Sequence, residues 1–571
     1  MAKLDILVPI PDAPGLISRK NVGGKTYVYY EIGREYLPER KYTVPKRVGI
    51  GRLAEDGLMV PNGNFARCFP DLVPGAEIRA KTSYTLRAGA FFVLARLVRT
   101  SGIAEILADV FGKEAAGLVT DLAAYSIVTE GNAAQYYPDY TYNHPVFTAG
   151  MARFADTKVS DFFRSIGDEH VALFLGGWNR LRENAGRIYI SYDSTNKNCQ
   201  AGDIEVVEFG HAKADRGKPV FNFSVAYDQN NSDPLFYEEY LGSVVDVSQL
   251  EFMLAKAAGY GYENVGFVFD RGYFSKRNIG FLDRSGLAYV IMAKGPCASV
   301  THVVESVRGT FEGKRSCHVR GSGVNATTVK NRLYPDDERE KCIHVVFNPT
   351  KAASERARLE ERVEKMARLL EKSEGKEVAF EESVRHYFEL VYDKSGKTFL
   401  YAKEKESVVE REISLCGYFA LVTSEEMTAA EALRIYRGRD ASEKLFRSDK
   451  SFLGNGSTRV CSDEAQSGKI FVEFVALILR NRIYTGLKNA KLKNDAKRNY
   501  MTVPAAIREL EKIEMTRRAD GVYTLDHAVT ATQKEILSAF GLEADDITKQ
   551  AQALSEEIAR MEKVEVANGK H

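Results

Sequence analysis

The sequence has no CxxC pair, a single tryptophan and almost no net charge, and each shortage removes a class of protein. Its seven cysteines (Cys68, Cys199, Cys297, Cys317, Cys342, Cys416 and Cys461) stand singly. An odd, scattered set excludes a disulfide framework and points to a reducing compartment. Cys317, His318, Cys342 and His344 are too tightly spaced for the usual zinc chelate, so they read as core residues in strands. Lysine and arginine total 79 against 78 acidic residues, which excludes a globally basic nucleic-acid coat protein and leaves room for a local basic stripe. The longest apolar run, KIFVEFVALILRNRIY at 469–484, is interrupted by Glu473, Arg480 and Arg482. It falls short of the ~20 apolar residues of a membrane span and reads as a buried helix. The opening segment MAKLDILVPIPDAPG carries Asp5 in its apolar stretch and no cleavage-like site. The expectation is therefore a cytoplasmic chain with no membrane partner. What is present is ordinary globular material, 44% apolar. The 571 residues suggest roughly three to five structural units.

Composition and periodicity divide the chain further. Residues 1–52 hold ten basic and five acidic side chains, an excess of five. KTYVYYEIG (25–33) and KYTVPKRVGIG (41–51) alternate like two strands of a hairpin with cations and tyrosines interleaved. Such a hairpin suits either a phosphate backbone or the plain role of capping the next domain. Region 1–80 is thus a basic hairpin region, and region 81–180 is helical, with a break at Ser101-Gly102 and a helix over 114–128. From Arg187, RIYISYD (187–193), DIEVVEFG (203–210) and VFNFSVAYD (220–228) read as three strands. A helix near 243–258, a strand at 264–270, a helix near 275–284 and a strand at 287–293 follow. That order is an α/β core with a mixed sheet, its first part at 181–295. Residues 296–412 interrupt it as an insertion. It carries a charged helix capped by Asn348-Pro349, whose Leu359, Val363, Met366 and Leu370 form a short apolar seam suited to packing on its own domain. The core resumes at 413–490, where Thr428 and Glu431 make a capping box, and region 491–571 reads as helical.

Two aspartates, Asp193 in YISYDSTNKN and Asp270 in GFVFDRGYF, close apolar runs. An ionised carboxylate there needs compensation, and the ends of sheet strands are where open α/β folds place ligands. In ALRIYRGRDASEKLFRSDKSF, Tyr436, Arg439, Glu443 and Lys450 fall at offsets of 0, 3, 7 and 14. At ~100° per residue they share a ~60° sector of one helix face. Gly438 inside that helix costs about 1 kcal/mol against alanine, which implies a close approach to its backbone.

Together YDSTNKN, FDRGYF and Y-x2-R-x3-E-x6-K resemble the DDE transposases of bacterial insertion sequences, specifically the YREK-signature group. The resemblance covers about 187–295 and 413–485. It implies an RNase H-like core split by a β-rich insertion, an N-terminal DNA-binding region with 81–180 binding element ends, and a helical C-terminal region. By position, Asp193, Asp270 and Glu443 resemble the catalytic, metal-holding triad, and Tyr436, Arg439, Lys450 and Arg271 the DNA-binding residues. The implied cofactor is a pair of Mg²⁺ ions, with Mn²⁺ as substitute, and all-oxygen ligation agrees with that. The implied partners are double-stranded DNA, as element ends and as target, and a second copy of the chain on that DNA. The implied function is binding of terminal inverted repeats, strand cleavage and strand transfer. A retired DNA-binding descendant and an RNase H-like nuclease are the alternatives. Some relatives cut through a DNA hairpin and hold a flipped base on a tryptophan of the insertion. Here the one tryptophan, Trp178, precedes the first catalytic strand and reads as core, which speaks against a hairpin intermediate unless another aromatic such as Phe311 or Tyr334 takes that role.

Overall fold

The computed structural model of the chain describes residues 7–37, 42–54, 57–69, 72, 83–181, 187–199, 201, 204–209, 217–242, 250–260, 262, 264–295, 298–493, 501–518 and 521–567. They form two compact units: one of residues 1–129, 133–160 and 483–571, the other of 130–132 and 161–482.

The first unit opens with a five-stranded antiparallel sheet, in the order Val8–Pro9, Leu58–Pro61, Tyr42–Leu53, Lys25–Leu37, Ile17–Val22. The expected hairpin is its longest pair. Val8, Val28, Ile50, Met59 and Phe65 form its core, because only the proximal half of the hairpin has neighbours on both sides. Helices Gly89–Thr100 and Ile103–Thr129 follow, parted where expected at Ser101-Gly102, with Gly102 at φ +75°, and the second is broken at Gly112, φ +77°, just before the helix expected over 114–128. Asp121 is enclosed here and accepts from Phe147 N, Thr148 N and Thr148 Oγ1. The C-terminal region departs from the all-helical expectation. Between its helices, Glu514–Arg517 pairs with Tyr523–Leu525 and with the distant Thr85–Arg87. These strands are too short to carry a period of their own, and Thr85–Arg87 supplies the pairing.

The second unit is a mixed α/β body built on a ten-stranded sheet. The Asp193 strand, Ile188–Cys199, is third from one edge of its main path and runs parallel to Val265–Phe269 on one side and antiparallel to Val220–Asp228 on the other. Val265–Phe269 is parallel to Ala288–Met292, which pairs with Tyr418–Thr423. Of the strand expected at 203–210, the described residues 204–209 form no ladder, only a single bridge from Glu208 to Val220. The third strand is instead Asp233–Leu241, paired to Val220–Asp228. Helix Leu250–Gly259 covers the described part of the expected 243–258 helix; residues 243–249 lie outside the described residues.

Within 296–412, strands His318–Val319, Val324–Asn331 and Lys341–Phe347 extend the same ten-stranded sheet through Tyr418–Thr423. Only the following stretch has a core of its own. There Leu359, Val363 and Leu370 of helix Pro349–Glu371 pack on Val384, Tyr387, Phe388, Phe399 and Val409, so the apolar seam is spent inside the domain. Asn348 caps that helix through Lys351 N, as its position before Pro349 predicts. Helix Asp463–Lys493 contains the apolar run 469–484, and Ile470 to Leu479 are all buried, Glu473 among them. No helix among the described residues is long and apolar enough to cross a membrane.

Candidate active site

Parallel register sets two aspartates level with each other. Val265 pairs with Ile188 and Val268 with Ser191. Continued by two residues, the register brings Asp270 beside Asp193 on strands ~4.8 Å apart. Asp270 does follow the end of its strand, Val265–Phe269. Asp193 does not close its own: it lies inside Ile188–Cys199 and pairs with Val225. The polar STNKN segment stays in the ladder because neighbours satisfy it, Asn196 through Asn222 and Lys197 through Glu473. Each aspartate is oriented by the next backbone N–H, Ser194 N to Asp193 Oδ1 at 2.9 Å and Arg271 N to Asp270 Oδ1 at 2.7 Å.

The third carboxylate comes from a helix laid on the same strand. The expected single helix is two, Ala429–Gly438 and Asp440–Phe452, joined at Arg439. The Thr428–Glu431 capping box starts the first. Ser442 Oγ lies 2.6 Å from Ser191 Oγ, a buried bond that fixes the second helix to the Asp193 strand and carries Glu443 with it.

Arg439 joins the three acids. Its Nη1 is 3.5 Å from Asp193 Oδ2, its Nη2 is 3.7 Å from Asp270 Oδ1, and Nη2 also donates to Glu443 Oε1. Burial opposes the guanidinium's charge, but Tyr436 and the three carboxylates outweigh it and raise its pKa. Tyr436 lies 3.4 Å from Asp270 Oδ1 through its hydroxyl, which donates, and its ring centre is 5.7 Å from the Arg439 guanidinium. Burial pushes the Tyr436 phenol up to about 12, so it keeps its proton at neutral pH. Of the residues singled out from the sequence, Asp193, Asp270, Glu443, Tyr436 and Arg439 therefore meet. Lys450 lies on the same helix two turns past Glu443, ~10 Å along the axis. Arg271 opens the short turn after Asp270 with its side chain exposed.

Sequence reading missed the groups that hold this arrangement. The Gln229 amide nitrogen donates to Ile435 O at 2.9 Å and its oxygen accepts from Arg439 N at 3.1 Å, bridging the helix junction. Gln229 N also donates to Tyr189 O at 2.9 Å, which ties that junction to the Asp193 strand. A Cβ on Gly438 would lie 2.7 Å from Gln229 Cδ, so the glycine makes room for this side chain. Gly438 was the only local signal, and it does not name its partner.

Three carboxylates against one guanidinium leave a formal charge of −2 in the cluster. An all-oxygen set with that charge fits a hard divalent ion such as Mg²⁺ or Mn²⁺. Among the described residues no three acidic, histidine or cysteine groups are drawn together around one ion position, and here the guanidinium stands among the carboxylates. Cys317, His318, Cys342 and His344 make no metal cluster either. His344 is buried between Thr328 and Thr423, and burial lowers its pKa to about 4. Trp178 is core, as expected, with Nε1 donating to Pro234 O at 2.8 Å. Phe311 is also buried, and Tyr334 sits with Lys276 over its ring at 5.7 Å.

No curated protein matches the chain. Among solved structures it is similar to one described as "Cryo-EM structure of piggyBac transposase synaptic complex with hairpin DNA", at 9% identity and a TM-score of 0.31. That similarity covers 71% of this chain and 63% of the other, so this chain spans less than two thirds of that structure's length. Residues 190–479, just over half of the 571, match the transposase DDE domain model, and Asp193, Asp270 and Glu443 all lie inside the match. The chain belongs to the transposase DDE domain family.

Proposed function

We propose that the chain is a DNA transposase of the YREK group of bacterial insertion sequences, which cleaves element ends and joins them to target DNA. One observation carries this reading: the guanidinium of Arg439 reaches carboxylates brought from two sheet strands and one helix, far apart in the chain. The sheet around Asp193 and Asp270, with Glu443 delivered by a helix, is read as an RNase H-like core interrupted by 296–412. In that reading region 1–80 binds DNA, region 81–180 binds the element ends, and two copies of the chain act on one element.

Asp193, Asp270 and Glu443 would hold two divalent ions, Mg²⁺ or Mn²⁺. Bound there, such ions supply Lewis acidity for the attacking and leaving oxygens of an in-line displacement at phosphorus. The chain's own groups prepare that site. Ser194 N and Arg271 N aim the two aspartates. Arg439 balances part of the acidic charge, and its fork suits a phosphate as well as a carboxylate. Tyr436 keeps a proton to donate, to Asp270 in the free protein and to a phosphate oxygen when DNA is bound. Arg271 and Lys450 extend the positive lining along the strand. With water as nucleophile the product is a nick; with a released 3′-OH it is a joined end.

The test supplies pre-cut DNA from the flanks of the chain's own gene, ending in free 3′-OH groups, with a target plasmid and Mg²⁺. Covalent joining to the plasmid is expected. Nicking without joining would identify a nuclease, and neither reaction, with no uptake of Mg²⁺, a retired DNA-binding protein.

A further inference from the structure

Beside the three carboxylates a second set of charges is wholly enclosed. Lys197 stands four residues after Asp193, on the same face of the same strand, and its side chain is 0% exposed. Its ammonium is 3.0 Å from Asp449 Oδ2 and 2.9 Å from Glu473 Oε2, and 4.1 Å from the centre of the Phe223 ring. Asp449 belongs to the helix of Glu443, and Glu473 to helix Asp463–Lys493. Asn455 Nδ2 donates to Asp449 Oδ1 at 2.7 Å. Asn132 Nδ2 donates to Asn455 Oδ1 at 3.0 Å and to Glu473 Oε1 at 3.2 Å, closing the network.

Stability alone is a weak reason for such a network, since apolar side chains of similar volume often replace a buried ion pair without loss. What it adds is direction. The buried face of the Glu443 helix is Ser442, Leu445, Phe446 and Asp449. Leu445 and Phe446 bind without fixing an angle or a register. Ser442 on Ser191 and Asp449 on Lys197 are the directional contacts, and they flank Asp193 and Glu443 on both sides. A slip of one residue along the helix would turn Glu443 by ~100° and move it ~1.5 Å.

We propose that Lys197, through its enclosed pair with Asp449 braced by Glu473, is a positioning residue that sets the Glu443 helix on the Asp193 strand and so fixes the spacing of the acids. This rests on reading Asp193 and Glu443 as metal-holding groups. None of the three charges touches the site itself; they act through the elements that carry it.

The test uses the full chain with Mn²⁺ alone, bound ion being read by electron paramagnetic resonance of the free ion, and nicking of a supercoiled plasmid as the second readout. Lys197→Met/Asp449→Leu removes the pair and keeps the volume, while Glu473 retains Asn132 and its helical neighbour Lys469. The expected result is a folded protein whose half-saturating Mn²⁺ rises ~10-fold or more. Its nicking should fall ~100-fold and recover in part as Mn²⁺ is raised. A folded variant that takes up Mn²⁺ and nicks like the parent overturns the proposal. Should the double variant not fold, Asp449→Asn keeps the shape and takes its place: weakened Mn²⁺ uptake and nicking support the proposal, and parental values of both overturn it. Asp193→Ala, run alongside, separates the two readings. If it binds Mn²⁺ like the parent, the metal reading fails; if it loses Mn²⁺ while the pair variant does not, only the positioning role fails.

Discussion

Gly438→Ala separates stability from activity at this site. The added Cβ would stand 2.7 Å from Gln229 Cδ and closer still to one terminal atom of the amide, where ordinary contact needs ~3.4 Å or more, so the amide must retreat by at least ~0.7 Å. Retreat stretches or breaks two bonds, to Ile435 O at 2.9 Å and from Arg439 N at 3.1 Å. Each is worth about 0.5–1.5 kcal/mol net. Against that, alanine gains about 1 kcal/mol over glycine in a helix. The balance is a loss of about 0–2 kcal/mol, a fall in melting temperature of only a few degrees. Activity should suffer far more, because Arg439 hangs from that junction and holds all three acids. A misplacement approaching 1 Å costs on the order of 100-fold in rate. Circular dichroism melts and plasmid nicking with Mg²⁺ measure the two effects separately. A variant that gains the full helix propensity and nicks within twofold of the parent would refute the role given to Gln229.

Two further outcomes follow from buried charges. Lys197→Met alone leaves Asp449 enclosed without its cation, Glu473 keeping Lys469 nearby, and should lower stability by about 3–5 kcal/mol in denaturant unfolding; a loss below about 1 kcal/mol would contradict the role given to the Lys197 pair. Asp121 gives a pH signature: burial raises its carboxyl from 3.8 to about 7, against the bonds from Thr148 and Phe147. The folded form then holds the proton to higher pH than the unfolded form. Stability of the unit containing it should fall as pH rises from about 4 to about 7 and level off above, by on the order of 4 kcal/mol at most. Asp121→Asn should flatten that slope in melts across the range, and an unchanged slope would assign it to other groups.

Much of the site was legible because helix and strand periods are local. The offsets of Tyr436, Arg439 and Glu443 put them on one face, and they meet even though the helix is broken at Arg439. Asp270 was legible because an apolar strand ends just before it. Asp193 was misplaced at a strand end because STNKN is polar, and the partners that keep it paired come from Asn222, Asp449 and Glu473. For the same reason nothing in the sequence singles out Lys197. Residues 204–209 alternate like a strand but lack a ladder, whereas Asp233–Leu241 has one on Val220–Asp228. Sheet order is likewise non-local: nothing in KCIHVVF announces that it pairs with Tyr418–Thr423 and so joins the sheet of the two aspartates.

The central claim is that Asp193, Asp270 and Glu443 act together on a phosphodiester. Asp193→Ala, Asp270→Ala and Glu443→Ala should each keep the fold and the affinity for end DNA while abolishing Mg²⁺-dependent strand cleavage. A folded variant of any of the three that cleaves at the parental rate would contradict it.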